Sequence, residues 1–373
     1  MYNSKRLTLA RERRGLTKKA LAELADITTR TLSTYENTEN ISSLDEATFL
    51  RVVRALGYPI EFYQQEDVES VNPDSVSFRA LTTLSAGKRN AAIGAGTLAL
   101  ELDKWMGKRF KQRHHNLLDF RNDDYVDPQT AAMLLRDHWS LGELSISNMV
   151  HLLEKNGVRV FSLAENCLEV DAFSFWKDNV PFALLNTMKS NERSRFDAAH
   201  ELGHLVLHKH GSNKGREAEE QADKFASAFL MPEGSVLAAV RPYASLDDII
   251  RLKRFWKVSA AALIRRSYDL GIFTEWHYRQ LYIELSKRYG RRTEPSPIEE
   301  REESIVLAKV ISSLRSSGVQ RDSIVREIGI PSDELAALTF DNSFFSLRLV
   351  NNERPTIKSK SSRQAPDLRL VKS

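Results

Sequence analysis

The sequence predicts an α+β fold, mainly α with a small β-sheet, and three observations carry that prediction. Apolar residues recur at helical spacing through most of the 373 residues. The period changes only between residues 158 and 186, where short apolar runs read as strands. Caps and breakers stand where helices should start and stop: Thr17, Thr28 and Pro128 at starts, Gly57 and Gly157 at ends.

Composition narrows the classes. Hydrophobic residues make up 42% and charged residues 28%, close to globular averages, which excludes global disorder. A single cysteine, Cys167, rules out an intramolecular disulfide, a zinc finger and an iron–sulfur cluster. The first fifteen residues hold no apolar core of a secretory signal, and no apolar run of about 18 residues exists to span a membrane. A cytoplasmic protein is expected. The net charge is +4, but residues 1–35 carry eight Lys/Arg against three acids, and residues 354–373 carry six against one. Basic ends on a net acidic middle point to an end that touches a polyanion.

Five helices are expected in residues 1–66. Within them, residues 17–36 read as two short helices joined by a tight turn at Asp26-Ile27, where glycine would be easier. The second helix buries Ile27, Leu32 and Tyr35. It would present Thr29, Arg30, Ser33 and Thr34 to the major groove of double-stranded DNA, with Lys18, Arg13 and Arg14 on phosphates. Such units work as dimers on two half-sites, so a homodimer is expected. Residues 67–127 read as a helical linker region. It contains a helix over 79–112, weakened by Gly94 and Gly96.

A second domain is expected over 128–290, with two helices in 128–156, strands at 158–163, 168–175 and 181–186, then helices at 192–208, 217–230 and 246–289. The strand at 181–186 is taken as an edge for an extended peptide. A small helical module at 298–347 and a basic disordered tail at 351–373 complete the chain.

The sharpest motif is His200-Glu201-Leu202-Gly203-His204. On a helix the two histidines share a face and can bind one ion, while Glu201 stands beside the water activated there. A third ligand is needed, and Glu219 supplies it, with Glu220 as the alternative. Asp223, one turn after Glu219, can accept from the far nitrogen of a ligand histidine. His208 is read as a helix C-terminal charge rather than a ligand. The ion expected is Zn²⁺, with Glu201 moving the proton during peptide hydrolysis.

Residues 7–60 resemble an XRE-type (Cro/repressor-like) helix-turn-helix domain. Residues 195–208 (RFDAAHELGHLVLH) and 219–232 (EEQADKFASAFLMP) resemble the ImmA/IrrE metallopeptidase family, as does the stretch 253–271. The resemblance implies a zincin-like domain, mostly helical with a small sheet. It implies a zinc endopeptidase with His200, His204 and Glu219 as ligands and Glu201 as general base. Members of that family cleave or control repressor proteins in mobile-element and stress regulation, and some act in toxin–antitoxin pairs. The family often has Asn where this chain has Asp223. The competing expectation is a DNA-binding antitoxin or repressor whose metal site is not catalytic. For oxyanion stabilisation only His208, Tyr268 and Tyr278 suggest themselves.

Overall fold

The computed structural model describes residues 2–38, 45–72, 76, 85–121, 123, 126–163, 170, 172–208, 215–290 and 293–346. Cys167 and the basic tail lie outside the described residues.

The chain opens with five helices, α1 (Ser4–Arg13), α2 (Lys18–Leu24), α3 (Thr29–Asn37), α4 (Glu46–Leu56) and α5 (Ile60–Gln64). Thr17 and Thr28 cap α2 and α3 by accepting from Ala20 N and Thr31 N. Asp26 makes the turn between them at φ +52°, a left-handed conformation that short polar side chains tolerate. The long α6 (Ala86–Gly107) follows. Gly94 and Gly96 do not break it. A Cβ on Gly94 would come 3.3 Å from Arg13 Cβ, and one on Gly96 3.2 Å from Val71 and 3.4 Å from Phe173. These glycines let α1 and the sheet approach α6 closely.

Next come α7 (Pro128–His138) and α8 (Met149–Lys155), then β1 (Arg159–Leu163), β2 (Ala172–Lys177) and β3 (Val180–Asn186). The strand order is β1-β3-β2. The β2–β3 hairpin turns at Asp178 and Asn179, both with positive φ, the twist that a tight two-residue hairpin prefers. β1 runs parallel to β3. This corrects one expectation: the strand at 181–186 is central, with ladders on both sides, and cannot offer an edge to a peptide. Pro181 is tolerated there because the ladder to β1 begins one residue later, at Phe182.

The remaining helices are α9 (Asn191–Leu207), α10 (Arg216–Leu230), α11 (Glu233–Ala239), α12 (Leu246–Trp256), α13 (Ala260–Asp269), α14 (Glu275–Tyr289), α15 (Ile305–Ser316), α16 (Arg321–Ile328) and α17 (Ser332–Leu338). Among the described residues no helix is long and apolar enough to cross a membrane.

Strand alternation gives the sheet two apolar faces, and each builds its own core. Phe161, Leu163, Phe173, Phe175, Phe182 and Leu184 join α6, the five N-terminal helices and α15–α17. Val160, Ala172, Ala183 and Leu185 join the helices α7–α14. The C-terminal module therefore packs on the N-terminal helices. Arg13 Nη2 lies 2.7 Å from Glu334, Arg14 Nη1 lies 2.6 Å from Asp333, and Gln65 Nε2 donates to Ile328 O at 2.9 Å. Arg13 is only 2% exposed. It is spent on that buried carboxylate and cannot reach a DNA phosphate, another correction to the sequence-based expectation.

Candidate metal centre and DNA-facing helix

The site begins with two helices that touch closely. α9 starts at Ser190, whose side chain accepts from Arg193 N, and buries Ala198, Ala199, Leu202 and Leu205. α10 buries Ala222, Phe225, Ala226 and Phe229 against it. Gly203 makes the approach possible, since a Cβ there would lie 3.1 Å from Phe225 Cδ1 and 3.3 Å from Ala222 Cα. The motif's glycine thus sets the spacing between the histidine helix and the helix bearing Glu219.

That spacing brings His200, His204 and Glu219 together, with ligand atoms all within 4.8 Å of one another. The two Nε2 atoms are 3.0 Å apart. Glu219 Oε2 lies 3.3 Å from His200 Nε2, and its Oε1 lies 3.5 Å from His204 Nε2. Glu220 points elsewhere, onto Arg216 at 2.7 Å. Asp223 Oδ1 accepts from His200 Nδ1 at 2.8 Å, which leaves the Nε2 lone pair of a neutral His200 facing the cluster. His208 stands behind His204, its Nδ1 2.9 Å from His204 Nδ1, and outside the three-residue group.

The donor set fits a tetrahedral divalent cation. Bonds of about 2.0–2.1 Å place tetrahedral donors about 3.3 Å apart, close to the spacings here. Glu219 Oε2 is buried and has no hydrogen bond of good geometry despite its closeness to His200. Three electron-rich atoms facing one point need a positive charge between them. Burial pushes His200 down, but its hydrogen bond to Asp223, the adjacent Glu219 carboxylate and the charge of Glu201 outweigh that and raise it to about 10. Burial pushes Glu219 up, but the two histidines outweigh it and hold it at about 2. Burial lowers His204, and burial with the neighbouring His204 lowers His208 to about 4. A metal ion would displace the proton on His200.

Glu201 is 4% exposed. Ser174 Oγ, itself fully buried on β2, donates to Glu201 Oε2 at 2.7 Å. Sequence reasoning missed Ser174. Its one signal is a hydroxyl between Phe173 and Phe175 in a buried strand, on the register that faces α9. Tyr268 and Tyr278 stack on each other, ring centroids 4.5 Å apart, where α13 meets α14.

In the N-terminal domain α3 buries Leu32 and Tyr35. Thr29, Arg30 and Thr34 are exposed and Ser33 is half-buried. Lys18 leans on Glu36, Nζ to Oε2 3.1 Å, and Glu36 also takes Arg11.

Comparison with known families agrees with this division. Residues 7–63 match a family model described as helix-turn-helix, and residues 153–268 match one described as IrrE N-terminal-like domain. A search of curated proteins gives no match. The chain carries an XRE-type helix-turn-helix domain at its N-terminus and, after it, a peptidase-family domain of the ImmA/IrrE type.

Proposed function

We propose that the protein is a DNA-binding transcriptional regulator whose second domain is a zinc-dependent endopeptidase acting on a repressor or similar partner protein. The observation that carries the reading is the convergence of His200, His204 and Glu219 within 4.8 Å, with Glu201 on the same helix. Zn²⁺, when bound, supplies Lewis acidity to a peptide carbonyl and lowers the pKa of water. The chain's own residues do the rest. Glu201 takes a proton from the attacking water as its oxygen bonds to the carbonyl carbon and the C=O π pair moves onto oxygen; the return of that pair breaks the peptide C–N bond, and Glu201 delivers the proton to the leaving nitrogen. Ser174 holds one oxygen of that carboxylate. Asp223 orients His200. An extended substrate would pair along β2, which has β3 as its strand neighbour in the described sheet and lies against α9.

The N-terminal domain would bind an operator as a homodimer, with α3 in the major groove and Thr29, Arg30, Ser33 and Thr34 facing bases and phosphates. Lys18 would join only by leaving Glu36. The setting is cytoplasmic regulation of mobile-element, stress-response or toxin–antitoxin genes.

The burial of Glu201 and Glu219 favours a second reading, in which the metal site is closed and the protein acts as a DNA-binding repressor or antitoxin. One experiment separates the two. The full chain is expressed with proteins encoded beside it, as wild type, Glu201→Gln and Arg30→Ala. The first reading expects cleavage of a neighbour that Glu201→Gln abolishes, and operator binding that Arg30→Ala weakens in a salt-dependent assay. Operator binding with no cleavage by any of the three proteins would establish the second.

A further inference from the structure

His204 carries a relay of hydrogen bonds that ends on the helix supplying Glu219. His204 Nδ1 lies 2.9 Å from His208 Nδ1, and His208 Nε2 lies 2.9 Å from Gln221 Oε1. Gln221 Nε2 in turn faces Glu217 Oε1 at 3.5 Å, one helical turn back on α10. Each link fixes the next. A carboxylate only accepts, so Glu217 takes the amide N–H of Gln221 and turns Oε1 towards His208. That oxygen only accepts, so His208 carries its proton on Nε2 and offers a lone pair at Nδ1. His204 must then donate from Nδ1, which leaves its Nε2 lone pair pointing at His200 and Glu219. If Gln221 presented its amide N–H instead, every donor in the chain would reverse and His204 Nε2 would carry a proton towards the metal position.

We infer that His208 and Gln221 are positioning residues that hold His204 in the one neutral tautomer able to bind a metal ion. This rests on the reading of His200, His204 and Glu219 as zinc ligands. The relay does for His204 what Asp223 does for His200, but through a second imidazole and back to α10. It assigns His208 a role that neither a ligand nor a helix-end charge describes. Two residues of α10 then serve the site: Glu219 supplies a metal donor, while Gln221 sets the proton of another.

The test is the Zn²⁺ dissociation constant of the full chain, measured by competition with a chromophoric chelator, for wild type, His208→Ala, Gln221→Met and Gln221→Glu. Loss of a partner behind a ligand histidine weakens binding by about 10–100-fold, so His208→Ala and Gln221→Met should both show that loss. Gln221→Glu restores an acceptor facing His208 Nε2 and should bind at least as tightly as wild type. Thermal melts of the metal-free proteins separate this from a folding defect, because Gln221 is only half-buried and its variants should melt with the wild type. In the zinc-loaded wild type, long-range ¹H–¹⁵N imidazole correlations should place protons on His204 Nδ1 and His208 Nε2. Wild-type affinity in both His208→Ala and Gln221→Met would overturn the relay while leaving the zinc site standing. Protons on the opposite nitrogens would do the same. A wild type that binds no zinc would remove the metal reading itself.

Discussion

Gly203 shows how one absent atom can set the distance between two helices. Its missing Cβ is what allows Ala222 and Phe225 of α10 to press on α9. Gly203→Ala should force the helices apart, destabilise the fold by about 1–3 kcal/mol as over-packing does, and weaken zinc binding by drawing Glu219 away from His200 and His204. Chelator competition beside a thermal melt checks both effects; an alanine variant with wild-type affinity and melting temperature would contradict this account of the spacing. The histidine pair was legible in the sequence because i, i+4 geometry is local. Ser174 was not, because which face of β2 meets Glu201 depends on a strand register that no local pattern encodes. His208 was visible as a residue, but its role depends on Gln221, which lies on another helix.

At the scale of elements, a side chain can cap a helix across a long sequence distance. Glu154, near the end of α8, accepts from Ser304 Oγ, from Ile305 N at 3.0 Å and from Val306 N at 3.3 Å, and so caps α15. Burial holds its carboxyl above the ordinary value of 4.5, although those donors and Lys309 pull the other way. The folded protein therefore binds this proton more tightly than the unfolded chain. The associated stability is fully present below the ordinary carboxylate value and is lost as pH rises through the folded one. Denaturant titrations across that window should show wild type losing stability relative to Glu154→Gln as pH rises. A constant difference, or one of opposite slope, would contradict the assignment. Elements themselves were mostly readable from periodicity and caps. The exceptions have physical causes. Gly94 and Gly96 weaken helix propensity in α6 because they serve packing, and the central place of β3 follows from a parallel pairing with β1 that alternation cannot reveal.

Across the whole molecule, the sheet is a shared wall. One face carries Phe173 and Phe175 into the core that includes the helix-turn-helix domain, and the other carries Ser174 to Glu201. The C-terminal module closes the first core through Glu334, buried beside Arg13 and bonded by Tyr58 Oη at 3.3 Å. No motif announces that contact, because its partners lie at opposite ends of the chain. Arg13 and Glu334 attract by charge more than by a well-angled hydrogen bond, since Glu334 Oε2 finds no such donor. Glu334→Ala would strand the buried Arg13 and should cost about 3–5 kcal/mol, read as a lower denaturation midpoint; a change under about 1 kcal/mol would mean that the pair is not what seats the module. The zinc ion proposed between α9 and α10 can be read from the metal content of the purified full chain by elemental analysis, beside His200→Ala and Glu219→Ala. One zinc per wild-type chain, lost in both variants, is the expected result. A wild type without zinc, or variants that keep it, would show that His200, His204 and Glu219 do not form a zinc site.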